Sequence, residues 1–242
     1  MKKILGVIPA RWASTRFPGK VLALIAGKPM IQHVWEQAKQ STKLTDVIIA
    51  ADDEQVLQAA KKFGAQAVLT DVNHASGTDR IAQAVKDLSA DIIINIQGDE
   101  PLIRPEVIDS LIAAFDREPA CLMATAIKKI NDVQELNNPN IVKVVIDCQY
   151  NALYFSRALI PYNRDNGKTD VYKHQGIYAY QRDFLLKIVK LPPSKLEQSE
   201  KLEQLRVLEA GYKIKTVETD YESIGVDSPE DIGRVEEILK KR

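Results

Sequence analysis

The chain has 242 residues, 45% of them hydrophobic and 27% charged, with 33 Lys+Arg against 33 Asp+Glu. These proportions exclude wholesale disorder and supply the apolar mass for one large α/β domain, 1–242, or one domain with an insertion. A formal net charge of zero excludes broad nucleic-acid binding, which draws its affinity from neutralised phosphates, yet leaves room for a local basic pocket.

Ile4–Ile8 is a continuous apolar run, the pattern of a strand buried on both faces of a parallel sheet. With Met1-Lys2-Lys3 ahead of it the run superficially resembles a signal peptide, but Pro9 and Arg11 cut it short and no small-residue cleavage site follows. No apolar stretch approaches the length of a membrane span, so a cytoplasmic protein without membrane insertion is expected. A polar loop covers 9–28. Met30, Ile31, Val34 and Ala38 then recur at helical spacing, Val47–Ala50 reads as a second buried strand, and Val56, Ala59, Ala60 and Phe63 mark a helix stopped at Gly64. Ala67–Leu69 is a short strand, Ile81–Leu88 a helix and Asp91–Ile96 the most strand-like run. Pro105 opens a further helix at a first-turn position. Strands alternating with helices in this way predict βαβ units and a mostly parallel, doubly wound sheet.

After about Ala120 the pattern changes. Leu122–Ile127, Ile141–Ile146 and Ala152–Phe155 read as strands without intervening helices, which predicts an antiparallel meander, and 120–180 is expected to form a mixed β extension. His174–Tyr180 reads as strand, Phe184–Val189 and Leu202–Leu208 as helices, and Tyr212–Val217 as strand. Ser228 is placed as N-cap of a last helix, with Pro229 in its first turn and Asp231 at the capping-box offset. Cys121 and Cys148 lack metal-ligand spacing and read as two buried thiols in a reducing compartment.

In open α/β sheets ligands bind beyond the carboxyl ends of the strands, so the loops after Ile8, Ala50, Leu69 and Ile96 matter most. The first, Pro9 to Lys20, holds Arg11, Arg16 and Lys20 among small residues, a pattern suited to phosphate oxygens. It is neither a Walker A loop nor a GxGxxG fingerprint, which weighs against kinases and dehydrogenases. The third, Asn73 to Arg80, offers hydroxyls that either cap a helix or read a base edge. In the fourth, Gln97-Gly98-Asp99-Glu100-Pro101, a carboxylate ends a central strand, where it can hold Mg²⁺ against nucleotide phosphates. Asp227, taken by itself, reads as a helix-entry turn residue. His174 and Tyr178 by themselves read as core residues, and Glu203 and Gln204 as a solvated helix face.

Ile8-Pro9-Ala10-Arg11 with Ser14-Thr15-Arg16-Phe17-Pro18-Gly19-Lys20 resembles the signature of the sugar-activating cytidylyltransferases. Ser76–Arg80, Asn95–Pro101, Tyr154–Arg157, His174–Tyr178, Leu202–Arg206 and Gly225–Asp231 narrow the resemblance to the members that activate 3-deoxy-D-manno-octulosonate (Kdo). It runs from Ile4 to about Val235. It implies a nucleotide-binding sheet of the nucleotide-diphospho-sugar transferase type whose mixed extension makes a homodimer. The implied substrates are CTP and Kdo, the products CMP-Kdo and pyrophosphate for lipopolysaccharide synthesis, and the implied cofactor Mg²⁺.

Carried over residue by residue, Arg11, Lys20, Asp99 and Asp227 would be catalytic, with Asp99 and Asp227 as metal ligands. Pro9, Ala10, Arg11, Ser14, Lys20, Ser76, Thr78, Arg80 and Gln97 would hold CTP. Arg16, Gln97, Arg157, His174, Tyr178, Glu203 and Gln204 would line the sugar pocket. An 8-amino analogue of Kdo or a sialic acid is the rival substrate, although the Gly-Gly-Ser-Lys stretch of sialic-acid enzymes is replaced here by Trp12-Ala13-Ser14-Thr15. A glycosyltransferase would show an Asp-x-Asp motif in place of Gly98-Asp99-Glu100. A nucleotide-sensing module without turnover would have no use for two separated carboxylates beside a basic loop.

Overall fold

The computed structural model describes residues 2–13, 17–165 and 169–241. Along the chain run β1 (Ile4–Ala10), a 3-10 turn (Lys20–Leu22), β2 (Leu24–Ile25), β3 (Lys28–Pro29), α1 (Met30–Ala38), β4 (Asp46–Ala51), α2 (Glu54–Lys62), β5 (Gln66–Leu69), α3 (Gly77–Val85) and β6 (Ile92–Asn95). They continue with α4 (Pro105–Arg117), β7 (Met123–Lys129), α5 (Val133–Leu136), β8 (Lys143–Ile146), β9 (Ala152–Ser156), β10 (Tyr172–Gln181), α6 (Arg182–Ile188), α7 (Lys195–Glu200), α8 (Leu205–Glu209), β11 (Lys215–Glu218) and α9 (Pro229–Leu239). Two compact units emerge: Met1–Asp109 with Gln181–Val189 and Ser223–Arg242, and Ser110–Tyr180 with Lys190–Glu222. The second is wider than the 120–180 extension expected from the pattern change.

In the first unit β6, β1, β4 and β5 lie side by side, all parallel, with Gly6 opposite both Val47 and Ile94. β1 and β6 are buried along almost their whole length, as their unbroken apolar runs require. α1 buries Met30, Ile31, Val34 and Ala38, the face that the sequence spacing predicts. α2 starts on Asp53, whose side chain accepts from the Gln55 N–H, and is followed by Gly64 at φ +85°. The 9–28 segment is more ordered than the expected loop. Besides the 3-10 turn it contains a β2–β3 hairpin turned by Ala26 and Gly27, both at positive φ, which gives the ribbon the twist that tight hairpins need.

In the second unit β10 pairs antiparallel with β7 and β8, β8 pairs antiparallel with β9, and β11 lies parallel to β7. The expected helix-free meander is corrected in one respect. A one-turn helix, α5, separates β7 from β8 because Asp132 caps it, accepting from the Gln134 N–H. The last strand is Lys215–Glu218 and runs parallel, since the chain crosses over through α7 and α8 before returning. α7 was not foreseen, although Ser194 and Glu197 form a capping box. Helix α8 begins at Leu205, not Leu202. Of the two cysteines only Cys121 is buried. Cys148 is exposed, because the Asp147 carboxylate accepts from the N–H groups of Gln149 and Asn151 and turns the chain outward there.

Candidate active site

The carboxyl ends of β1 and β6, with the first turn of α3 and the entry to α9, enclose a cleft of about 390 Å³ in the first unit. Pro9, Arg11, Ala13, Lys20, Gln97, Gly98, Asp99 and Asp227 are among its walls. Backbones come unusually close here. A methyl group on Gly98 would stand 2.6 Å from the Pro9 carbonyl oxygen, so only glycine lets the loop after β6 lie against the end of β1.

Lys20 is the electrostatic centre. Its ammonium donates to an Asp99 carboxylate oxygen at 2.9 Å and to an Asp227 carboxylate oxygen at 3.2 Å, although these residues are 79 and 207 positions away in sequence. Burial by itself would lower the Lys20 pKa, but the two carboxylates more than offset it and the net displacement is upward, so the side chain is a firmly held cation. The carboxylates are held in turn. Asp231, the capping-box residue of α9, accepts through one oxygen from the N–H groups of Asp227 and Ser228 at 2.9 and 2.8 Å. The Val226 N–H donates to the Asp99 carbonyl at 2.9 Å, binding the two loops together. The helix-entry reading of Asp227 and its place in the cleft therefore both hold.

The base of the first loop is fixed by Trp12, for which the sequence offered no account. Its indole lies over Gly19, where an added methyl would meet the ring at 3.0 Å. Its carbonyl accepts from the Gly19 N–H at 3.0 Å, which sets Lys20 at the start of the 3-10 turn. Arg11 donates to the His74 carbonyl at 2.9 Å. Ser14 and Arg16, expected on CTP and on the sugar, lie outside the described residues. Ala10 is fully buried at the end of β1.

Ser76 caps α3: its hydroxyl accepts from the Asp79 N–H at 3.1 Å and the Asp79 carboxylate accepts from the Ser76 N–H at 3.2 Å. Thr78 is buried in the first turn and Arg80 is completely buried. Arg80 donates to the Thr70 hydroxyl at 2.6 Å, to the Asp71 carbonyl at 3.2 Å and to the Asp52 carboxylate at 3.3 Å. Burial pulls its pKa down, Asp52 opposes that and the neighbouring Arg11 adds to it. Asp52 went unassigned in the sequence, although the Asp52-Asp53 pair directly after β4 sits in one of the four expected loops.

The remaining sugar-pocket expectations cluster in the second unit. A bulge in β10 between Gln175 and Tyr178 lets the Thr125 hydroxyl reach the Ile177 carbonyl at 2.8 Å and His174 Nε2 at 2.9 Å. With the hydroxyl hydrogen on the carbonyl, Nε2 carries the imidazole proton and donates to Oγ1. The His174 ring packs edge-on to Phe155 and beside Tyr178, with centroids 5.1 and 5.3 Å apart, and burial pushes its pKa down to about 3. It is a neutral imidazole at physiological pH. Burial, and then the Glu203 carboxylate, raise the Tyr178 phenol well above its usual range.

Gln204 corrects the solvated-face reading. It is buried at the start of α8, and its Nε2 finds no hydrogen-bond partner among the described residues. Arg157 donates from Nε to the Glu200 carbonyl at 2.8 Å and from Nη1 to the Pro139 carbonyl at 2.9 Å. Lys143, also unforeseen, is fully buried and donates to the carbonyls of Asn138, Ile141 and Arg157 at 2.9, 2.7 and 2.6 Å.

A parallel sheet with a cation and two carboxylates beyond the ends of its central strands defines an α/β protein of the nucleotidyltransferase class. The sequence profile of the cytidylyltransferase family matches residues 5–215. The chain is 56% identical to 3-deoxy-manno-octulosonate cytidylyltransferase of Solibacter usitatus over 99% of this chain and 95% of that protein. It is 48% identical to the same enzyme of Geobacter sulfurreducens over 98% and 99%. Among solved structures, a CMP:2-keto-3-deoxy-manno-octonic acid synthetase complexed with CTP superposes with a TM-score of 0.95 at 45% identity, covering 99% of both chains. The 4-diphosphocytidyl-2C-methyl-D-erythritol synthase of Anaerococcus prevotii, at 16% identity and a TM-score of 0.66, shares the fold. The chain belongs to the cytidylyltransferase family, in its 3-deoxy-manno-octulosonate cytidylyltransferase branch.

Proposed function

We propose that the protein couples CTP and Kdo to CMP-Kdo and pyrophosphate. The observation that carries this reading is the convergence of Asp99 and Asp227 on Lys20, beside Arg11, where the central strands end. The anomeric hydroxyl of Kdo attacks the α-phosphorus of CTP in line and pyrophosphate leaves on the opposite side. Both substrates are anions, so their repulsion has to be cancelled. Arg11 and Lys20 are the cations that the cleft offers the triphosphate, and the first turn of α3 offers the Ser76 and Thr78 hydroxyls to the base.

The residues also fit Mg²⁺. Two carboxylates that already share one cation are hard oxygen donors. That is the donor set of an ion completed by water and substrate phosphates. Asp99 and Asp227 would hold the ion, and bound there it supplies charge neutralisation at phosphate oxygens and a lower pKa for a neighbouring hydroxyl. The histidines are committed elsewhere. His33 Nε2 lies 2.7 Å from the Ile25 carbonyl, His74 Nε2 lies 2.6 Å from the Gln83 amide oxygen, and His174 is too weak a base.

The buried Gln204 Nε2, without a partner among the described residues, is a donor that suits a ligand oxygen. His174, Tyr178, Glu203 and Arg157 complete that reading. We extend it to a homodimer working in the cytoplasm for lipopolysaccharide synthesis, which the family resemblance supports; no helix among the described residues is long and apolar enough to cross a membrane. The test is pyrophosphate release from CTP and Mg²⁺ with Kdo, its 8-amino analogue and N-acetylneuraminic acid in parallel. Release with Kdo alone is expected. Release with the amino analogue alone would replace the substrate, and silence with all three would overturn the reading.

A further inference from the structure

Asp52 stands in the turn after β4, outside every motif that the family resemblance carries over. Its side chain is 4% exposed and its two oxygens do different work. Oδ1 accepts from the Trp12 N–H at 2.7 Å, and Oδ2 accepts from the fully buried Arg80 at 3.3 Å. Among the described residues it is the carboxylate bonded to that guanidinium, whose other acceptors, the Thr70 hydroxyl and the Asp71 carbonyl, are neutral. One carboxylate thus joins two pieces of chain that the CTP reading puts at opposite ends of the nucleotide. Through Trp12 it holds the base of the loop that delivers Lys20. Through Arg80 it holds the first turn of α3, where Ser76 and Thr78 lie. The Asp52 N–H donates to the Ala10 carbonyl at 3.2 Å, so the carboxylate is anchored to the end of β1 itself.

We propose that Asp52 is a positioning residue for CTP, setting the spacing between the cytosine-side turn of α3 and the triphosphate-side loop. The inference rests on the CTP reading above. Asp52 touches no reacting atom. Asp52→Asn keeps an acceptor for the Trp12 N–H but turns an amide toward a buried guanidinium, so the two halves of the nucleotide site lose their common anchor. Removing a charge-assisted hydrogen bond of this kind raises KM for CTP by about tenfold, while KM for Kdo and kcat at saturating CTP stay within about twofold.

The experiment measures both KM values and kcat for the wild type, Asp52→Asn, Arg80→Gln and the double variant, with melting temperatures alongside. Selective weakening of CTP, with the double variant no worse than the poorer single one, is the expected result. A folded Asp52→Asn with wild-type KM for CTP, or one that weakens CTP and Kdo equally, overturns the inference. Asp52→Ser removes the carboxylate with a smaller side chain and decides the matter should Asp52→Asn not fold: a selectively raised KM for CTP supports the role and an unchanged one overturns it. A wild type that turns over neither substrate would instead overturn the CTP reading itself.

Discussion

The candidate ligand groups of the two units differ in their balance of charge. In the first unit they are charged and paired: Lys20 with Asp99 and Asp227, Arg80 with Asp52. In the second, neutral and desolvated groups, the His174 imidazole, the Tyr178 phenol and the Gln204 amide, stand beside the charged candidates Arg157 and Glu203. The contrast suits ligands of different chemistry. A triphosphate with a divalent cation demands countercharge, which must be balanced within the protein until the ligand arrives. Sugar hydroxyls demand dipoles of fixed direction, which a protein supplies by burying neutral groups and limiting their partners. Charge is cheap to read from sequence. A buried neutral amide is not.

The contrast can be broken first at the carboxylates. Asp99→Asn and Asp227→Asn are each expected to lower kcat roughly a thousandfold, the scale of losing a transition-state charge partner. Asp227→Asn should change the Kd for CTP little by calorimetry, and removal of divalent cations with EDTA should match the loss in the wild type. Wild-type turnover in both variants would remove the charged cleft from the mechanism.

The second unit is tested at Lys143. Lys143→Met leaves three inward carbonyls without their donor and should destabilise the protein by about 3 kcal/mol in urea unfolding. A change below ~1 kcal/mol would mean that these carbonyls find water or other donors. Next comes Gly98→Ala, whose methyl would press on the Pro9 carbonyl. It is expected to cost about 2 kcal/mol and to reduce turnover, because β1 and the Asp99 loop must part. A crystal structure of that variant with both backbones unmoved would show the close approach to be incidental.

The smallest effect is a matter of pH. His174 is neutral when folded, with a pKa of about 3, against 6.5 for the free side chain. Between those values the unfolded chain binds a proton that the folded one does not, so stability is present above about 6.5 and falls as pH drops toward 3. His174→Gln should flatten melting temperature against pH between about 6.5 and 4.5, above the ordinary carboxylate range. An unchanged slope there would assign the acid sensitivity to carboxylates alone.

Much of this was legible in the linear chain because periodicity and strand ends are local properties. The apolar runs of β1, β4 and β6 mark the parallel sheet, and the loops at their carboxyl ends contain Arg11, Lys20, Gln97 and Asp99. The Ser228–Asp231 capping box is equally local, and so is the start of α9. The misses share one cause. Asp52 is anchored by Trp12 and Arg80, 40 and 28 positions away, Lys143 and Gln204 are buried only by the folded chain around them, and nothing in their immediate neighbours tells an anchored or buried polar side chain from a solvated one. α7 and α5, too short for a helical period to show, went unseen for want of length.

By itself, then, the sequence determined which strands are buried, where the parallel sheet ends and which charges gather at its mouth, because these follow from hydrophobic period and chain order. The tertiary structure alone decided that Lys20 bridges Asp99 and Asp227, that Trp12 seals the loop over Gly19, and that Gln204 is buried with its Nε2 unpaired among the described residues. Each of these depends on distances that chain order does not fix, and such distances exist only once the backbone has closed around its core.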